Sequence, residues 1–104
     1  MIYELRTYTL RPGTMAEFLT RVERDGLPIA SKYLKLVGYW QSEFGTLNQA
    51  FHLWAHDSLD ARAANRTKLM ADPDWNEKYL RFVLPLFDKQ ESVILKPTSF
   101  SPLT

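Results

Sequence analysis

Over 104 residues the apolar pattern runs with a period of two, then near 3.6, then two in successive runs, then 3.6 and finally two again. That order spells β-α-β-β-α-β. In "MIYELRTYTL" successive side chains point to opposite faces of a strand, so Ile2, Glu4, Arg6 and Tyr8 share one face. "RPGT" then supplies a turn, and Thr14 with Glu17 three residues on forms a capping-box pattern. A helix is expected from about Met15 into the low 30s, disturbed at "DGLPIA", with Phe18, Leu19 and Val22 on its apolar stripe. "KLVGYWQSEF" and "NQAFHLWAH" read as a hairpin closed by the three residues "GTL".

"HDSLDARAANRTKLMAD" reads as a helix capped by Asp57 or Ser58, with Leu59, Ala63 and Met70 along one side. Asp72 before Pro73 restarts the chain as a second helical piece, on which Trp75, Tyr79 and Phe82 follow helical spacing. Pro85 stops it, and "ESVILK" is the last strand before the proline-broken tail "PTSFSPLT". The order predicts an α+β, ferredoxin-like fold: one four-stranded antiparallel sheet with helices over one face, within a single domain spanning 1–104. The other face would be bare and apolar, which predicts a homodimer packed sheet against sheet.

Charge narrows the function classes. Thirteen Lys and Arg stand against 12 Asp and Glu without a basic block, so no nucleic-acid partner is expected. No apolar run approaches the ~20 residues of a membrane span, and no leader pattern opens the chain; no membrane partner is expected, and the cytoplasm is the expected location. There is no cysteine, which removes thiol nucleophiles and thiolate metal sites. Gly-rich phosphate loops, nucleophile elbows and Asp-rich metal loops are missing too.

What remains is a set of polar and ring-bearing residues at alternate strand positions: Glu4, Arg6 and Tyr8; Tyr39, Gln41 and Glu43; His52 and Trp54. Aligned on the side away from the helices, they would line one concave surface suited to a small molecule. His52 is the candidate general base, with Glu43 or Glu4 fixing its tautomer. Glu4 and Arg6 also read as mainly structural, neutralising one another in a sheet face where charge pairs between neighbouring strands are common. His52 and His56 share a face about 13 Å apart at strand rise, too far to hold one metal, and no metal or cofactor is expected. Arg62 and Arg66, four apart on a helix, repel unless an acid or a ligand anion lies between them. Trp40, Trp54 and Trp75 read most simply as core or interface anchors.

The strings "YELRTYTLRPG", "LVGYWQSEFGTLNQAFHLWAHDSLDARAANR" and "DPDW" resemble the NIPSNAP family over nearly the whole chain. The resemblance implies a ferredoxin-like domain in a dimeric α+β barrel. The wider superfamily includes cofactor-free monooxygenases, lactone isomerases and haem-binding dismutases; animal NIPSNAP members are mitochondrial and linked to vesicle trafficking and mitophagy. The family pattern marks Glu4, Arg6, Tyr8, Trp40, Glu43, Asn48, His52, Trp54, Arg62 and Arg66. The function expected is binding of a small organic molecule between sheet and helices, with cofactor-independent oxygenation or isomerisation as the implied chemistry. The alternative is a non-enzymatic protein-interaction module.

Overall fold

A computed structural model describes residues 1–104. Strand β1 spans Ile2–Leu10, and a continuous helical segment follows as α1 (Met15–Arg21), a π-helical stretch Val22–Gly26 and α2 (Leu27–Ala30). Strands β2 (Lys35–Gln41) and β3 (Gln49–His56) lead to α3 (Leu59–Ala71). A second π-helical stretch, Trp75–Leu80, runs through α4 (Arg81–Val83) and a 3₁₀ turn at Leu84–Leu86 into β4 (Phe87–Leu95). All pairings are antiparallel, and the strands lie in the order β2-β3-β1-β4, the ferredoxin-like arrangement expected from the element order.

The wider helical turn at Val22–Gly26 sits just before Pro28. Proline brings no N–H and its ring crowds the carbonyl four residues back, so a local widening lets the helix continue instead of breaking. The second widening has a packing consequence. It shifts the inward register so that Trp75 and Tyr79 pack together and Val83 is buried, while Phe82, expected inward, is exposed. Pro85 ends the segment as expected.

Three local expectations need correction. Strand β2 ends at Gln41, so a connection from Ser42 to Asn48 replaces the three-residue link; Gly45 and Asn48 both take positive φ there and turn the chain. Thr14 Oγ1 donates to the Arg11 carbonyl at 2.7 Å and does not cap α1. On α3, Leu59 and Met70 are exposed, and the inward stripe is Arg62, Arg66 and Leu69 instead. That stripe faces a buried carboxylate, which is why it is charged where an apolar run was expected. The Ser58 cap on the Ala61 N–H (3.0 Å) and the Asp72 restart, where Oδ1 accepts the Asp74 N–H at 2.9 Å, are as expected.

All helices lie over one face of the sheet. One core cluster gathers Leu10, Phe18, Val22, Tyr79 and Val83, and another gathers Ile29, Ala30, Trp54 and Leu69. On the opposite face Leu53 pairs with Leu5 and Leu5 with Val93, beside Phe51 and Trp40. Val93 and Trp40 there are 52% and 53% exposed. No helix is long and apolar enough to cross a membrane.

Candidate functional site

Glu4 is the anchor of the site. Its side chain points to the helix face and is 1% exposed, in surroundings where an uncompensated carboxylate would cost several kcal/mol. Five side-chain hydrogen bonds compensate it. Arg62, one turn into α3, forks onto both carboxylate oxygens (Nε–Oε1 2.8 Å, Nη2–Oε2 2.9 Å); Arg6 Nη1 (2.9 Å) and the Ser92 hydroxyl reach Oε2; and His56 Nε2 lies 3.1 Å from Oε1. Burial by itself raises the Glu4 carboxyl, but the hydrogen bonds from Arg62, Ser92 and Arg6 outweigh it and hold the group well below the usual carboxylate range. Arg6 is fixed at its other end, where Nε donates 2.9 Å to the Tyr8 hydroxyl oxygen.

Directly across from Arg6 on β3 stands His52, 4% exposed. The Trp54 indole N–H donates to its Nδ1 at 2.6 Å. A neutral imidazole carries one proton, so with Nδ1 accepting, the proton is on Nε2. Burial, then the nearby Arg6 charge, pushes the ring down to about 3, so it stays neutral through the physiological range. The Tyr39 ring stacks on it at 4.6 Å and 5°, and the Tyr8 ring meets it edge-on at 4.6 Å. The buried Nε2 finds no partner in the protein, and neither does the Trp75 indole Nε1. Each such donor costs about 1–3 kcal/mol when left unpaired.

These groups border a cavity of about 230 Å³ between the sheet and the helices. It lies where the two core clusters meet, with Val22 and Tyr79 of one and Ala30, Trp54 and Leu69 of the other in its walls. Both π-helical stretches border it through Gly26 and Trp75. Arg66, one turn beyond Arg62, also lines it; half-buried, it makes no hydrogen bond or ion pair with the protein. Burial and the Arg6 charge lower its basicity.

A NIPSNAP family model matches residues 3–102 of this sequence. The chain belongs to the NIPSNAP family. It is 41% identical over 95 residues to human NipSnap homolog 3A, covering 90% of this chain and 38% of that protein, so it spans little more than a third of the length of that relative. A solved NIPSNAP family protein of unknown function from Agrobacterium tumefaciens is 45% identical with a TM-score of 0.96, covering all (100%) of this chain and 94% of the other. An antibiotic biosynthesis monooxygenase matches with a TM-score of 0.65 at 8% identity, covering 94% of this chain and 99% of the other, and so shares the fold alone.

Within this NIPSNAP domain, Glu4, Arg6, Tyr8, His52, Trp54 and Arg66 come together at the cavity. They do so on the helix side of the sheet, not on the side away from the helices as the strand alternation suggested. Four other expected residues do not line it. Arg62 is spent on Glu4. Trp40 lies on the opposite face, across from Phe51 and with its ring over Gly38, as its place next to Tyr39 in the strand alternation requires. A bulge between Leu36 and Gly38 shifts the register of β2 and so puts Leu36 and Tyr39 on the same, helix side. Glu43 falls beyond the end of β2 and is exposed, and Asn48 serves the turn with φ +62° while its carbonyl accepts the Leu10 N–H at 2.7 Å. Neither glutamate fixes the His52 tautomer; Trp54 does. Sequence reasoning missed Ser92 and assigned Trp75 to an anchoring role. Trp75 carried a usable signal, since it lies in the first turn of the helical piece that Asp72 and Pro73 restart. Ser92 had none.

Proposed function

We propose that this domain binds a small organic molecule in the cavity between its sheet and its helices. The observation that carries the reading is a formed cavity whose lining includes His52 and Trp75, each with a buried ring N–H that has no partner in the protein. A core closed only for stability satisfies or omits such groups. A pocket with mostly apolar walls and a few fixed donors is the usual form of a small-molecule site.

The geometry favours binding over turnover. A general base needs an available lone pair: His52 Nδ1 is engaged by Trp54 and Nε2 holds the proton, while the Glu4 carboxylate is consumed by five donors. His52 is therefore assigned here as a donor to ligand and not as the base expected from sequence.

The apolar outer face, with Trp40, Phe51, Leu5, Leu53 and Val93, supports a homodimer closed sheet to sheet into an α+β barrel. The interaction-module reading draws on the same exposed face, with Phe44 on the β2–β3 connection also exposed. Native mass spectrometry of protein purified from its own cells tests both. A dimer with a reproducible added mass is expected, and Val93→Glu is expected to yield monomers. An unliganded dimer across growth conditions would favour the interaction module, and an unchanged dimer in Val93→Glu would overturn the sheet-to-sheet arrangement.

A further inference from the structure

We propose that the molecule held in this cavity is an aromatic monocarboxylate, its carboxylate paired with the Arg66 guanidinium. This rests on the small-molecule reading above and adds the chemistry of the ligand.

Charge is the first consideration. Glu4 is the one acidic residue among those bordering the cavity, and Arg6 and Arg62 are already bound to it. Arg66 has no such partner, although it stands one helical turn from Arg62 on the same side of α3, where like charges disfavour the helix. With three guanidinium groups around one carboxylate, the site is short of negative charge. A cationic ligand is repelled, and a neutral one leaves Arg66 unpaired in half-buried surroundings. A carboxylate matches the planar guanidinium fork, and a single free guanidinium calls for a single anionic group.

Hydrogen-bond polarity agrees with this. Two residues that line the cavity, His52 and Trp75, each hold an unpartnered buried ring nitrogen, Nε2 and Nε1, and both are donors, so the complementary ligand presents acceptor oxygens. The body of the ligand is set by the walls, where the rings of Tyr8, Tyr39, Trp54, Trp75 and Tyr79 face the space. Flat, apolar surface is what such rings recognise. A volume of about 230 Å³, below the range for drug-sized ligands, holds on the order of ten non-hydrogen atoms.

The test uses the full chain and matched sets of benzoate, cinnamate and 2-naphthoate with their amides and alcohols, titrated by calorimetry alongside quenching of tryptophan fluorescence. At least one acid is expected to bind about tenfold more tightly than its amide, the difference between a charge-assisted and a neutral hydrogen-bonded contact. Arg66→Met keeps the aliphatic stem and is expected to erase that preference, while Arg66→Lys retains part of it. Circular dichroism and thermal unfolding establish that both variants are folded. Equal binding of acids, amides and alcohols would overturn the carboxylate assignment and leave the pocket reading standing. A preference for acids that survives in Arg66→Met would overturn Arg66 as the anchor. No binding by any of the sets would overturn the aromatic-carboxylate assignment, while the pocket reading is decided separately by the added mass in native mass spectrometry.

Discussion

Replacing Glu4 by Gln keeps the shape of the side chain and removes its charge. In the native protein one carboxylate, 1% exposed, accepts from Arg6, Arg62 and Ser92 and contacts His56. A glutamine has one acceptor oxygen for these donors, and its NH₂ meets others head-on. Removing one partner of a fully buried ion pair costs about 3–5 kcal/mol; Arg6 and Arg62 keep some access to solvent, which favours the low end, about 3 kcal/mol. At about 4–8 °C per kcal/mol for a domain of this size, Tm should fall by roughly 12–24 °C. The pH dependence gives a second, independent reading. Hydrogen bonds depress the Glu4 carboxyl in the folded protein, so its stabilisation is present above the ordinary unfolded value near ~4.3 and is lost as pH falls below it. Urea denaturation of both proteins at one protein concentration, from pH 7 to pH 3, measures both effects. The gap between wild type and Glu4→Gln should narrow below about pH 4. A loss under about 1 kcal/mol at pH 7, or a gap that is constant down to pH 3, would refute the assignment of Glu4 as the electrostatic anchor.

His52 is expected to show no imidazole titration between about pH 5 and 8 and to carry its proton on Nε2, read from long-range proton–nitrogen correlations; a midpoint near its ordinary value of 6.5 would contradict the buried, indole-bound ring. Gly26→Ala would place its Cβ 2.5 Å from Cε1 of Tyr79, so the Tyr79 ring must move into the cavity or the two π-helical stretches must separate. Thermal unfolding is expected to show a loss of about 1–3 kcal/mol; unchanged stability would mean that this contact is looser than the structure shows.

Much of the fold was legible because strand and helix periods differ so widely. Strand alternation in β1 put Glu4, Arg6 and Tyr8 on one face, where they are found, and the Asp72-Pro73 restart was readable from capping chemistry. Alternation alone does not say which face the helices cover, however, and here the charged face is the covered one. The polar residues of β1 suggested an open surface only because their partners, Arg62 on α3 and Ser92 on β4, are far along the chain. Local widening of the helix near Trp75 and the bulge at Leu36 each shift a register by one residue, which is enough to turn Phe82 outward and to set Leu36 beside Tyr39 on the covered face. The His52 tautomer depends on a neighbour two residues away on the same strand face, Trp54. The presence of both residues was readable, but their contact was not.

A crystal structure of the protein purified from its natural source, grown without added ligand, bears most directly on the cavity as a binding site. The expected result is density for an organic molecule beside Arg66, with an oxygen within hydrogen-bond reach of His52 Nε2 or Trp75 Nε1. A cavity closed by its own side chains, with Arg66 turned out to solvent and both N–H groups satisfied within the protein, would contradict it.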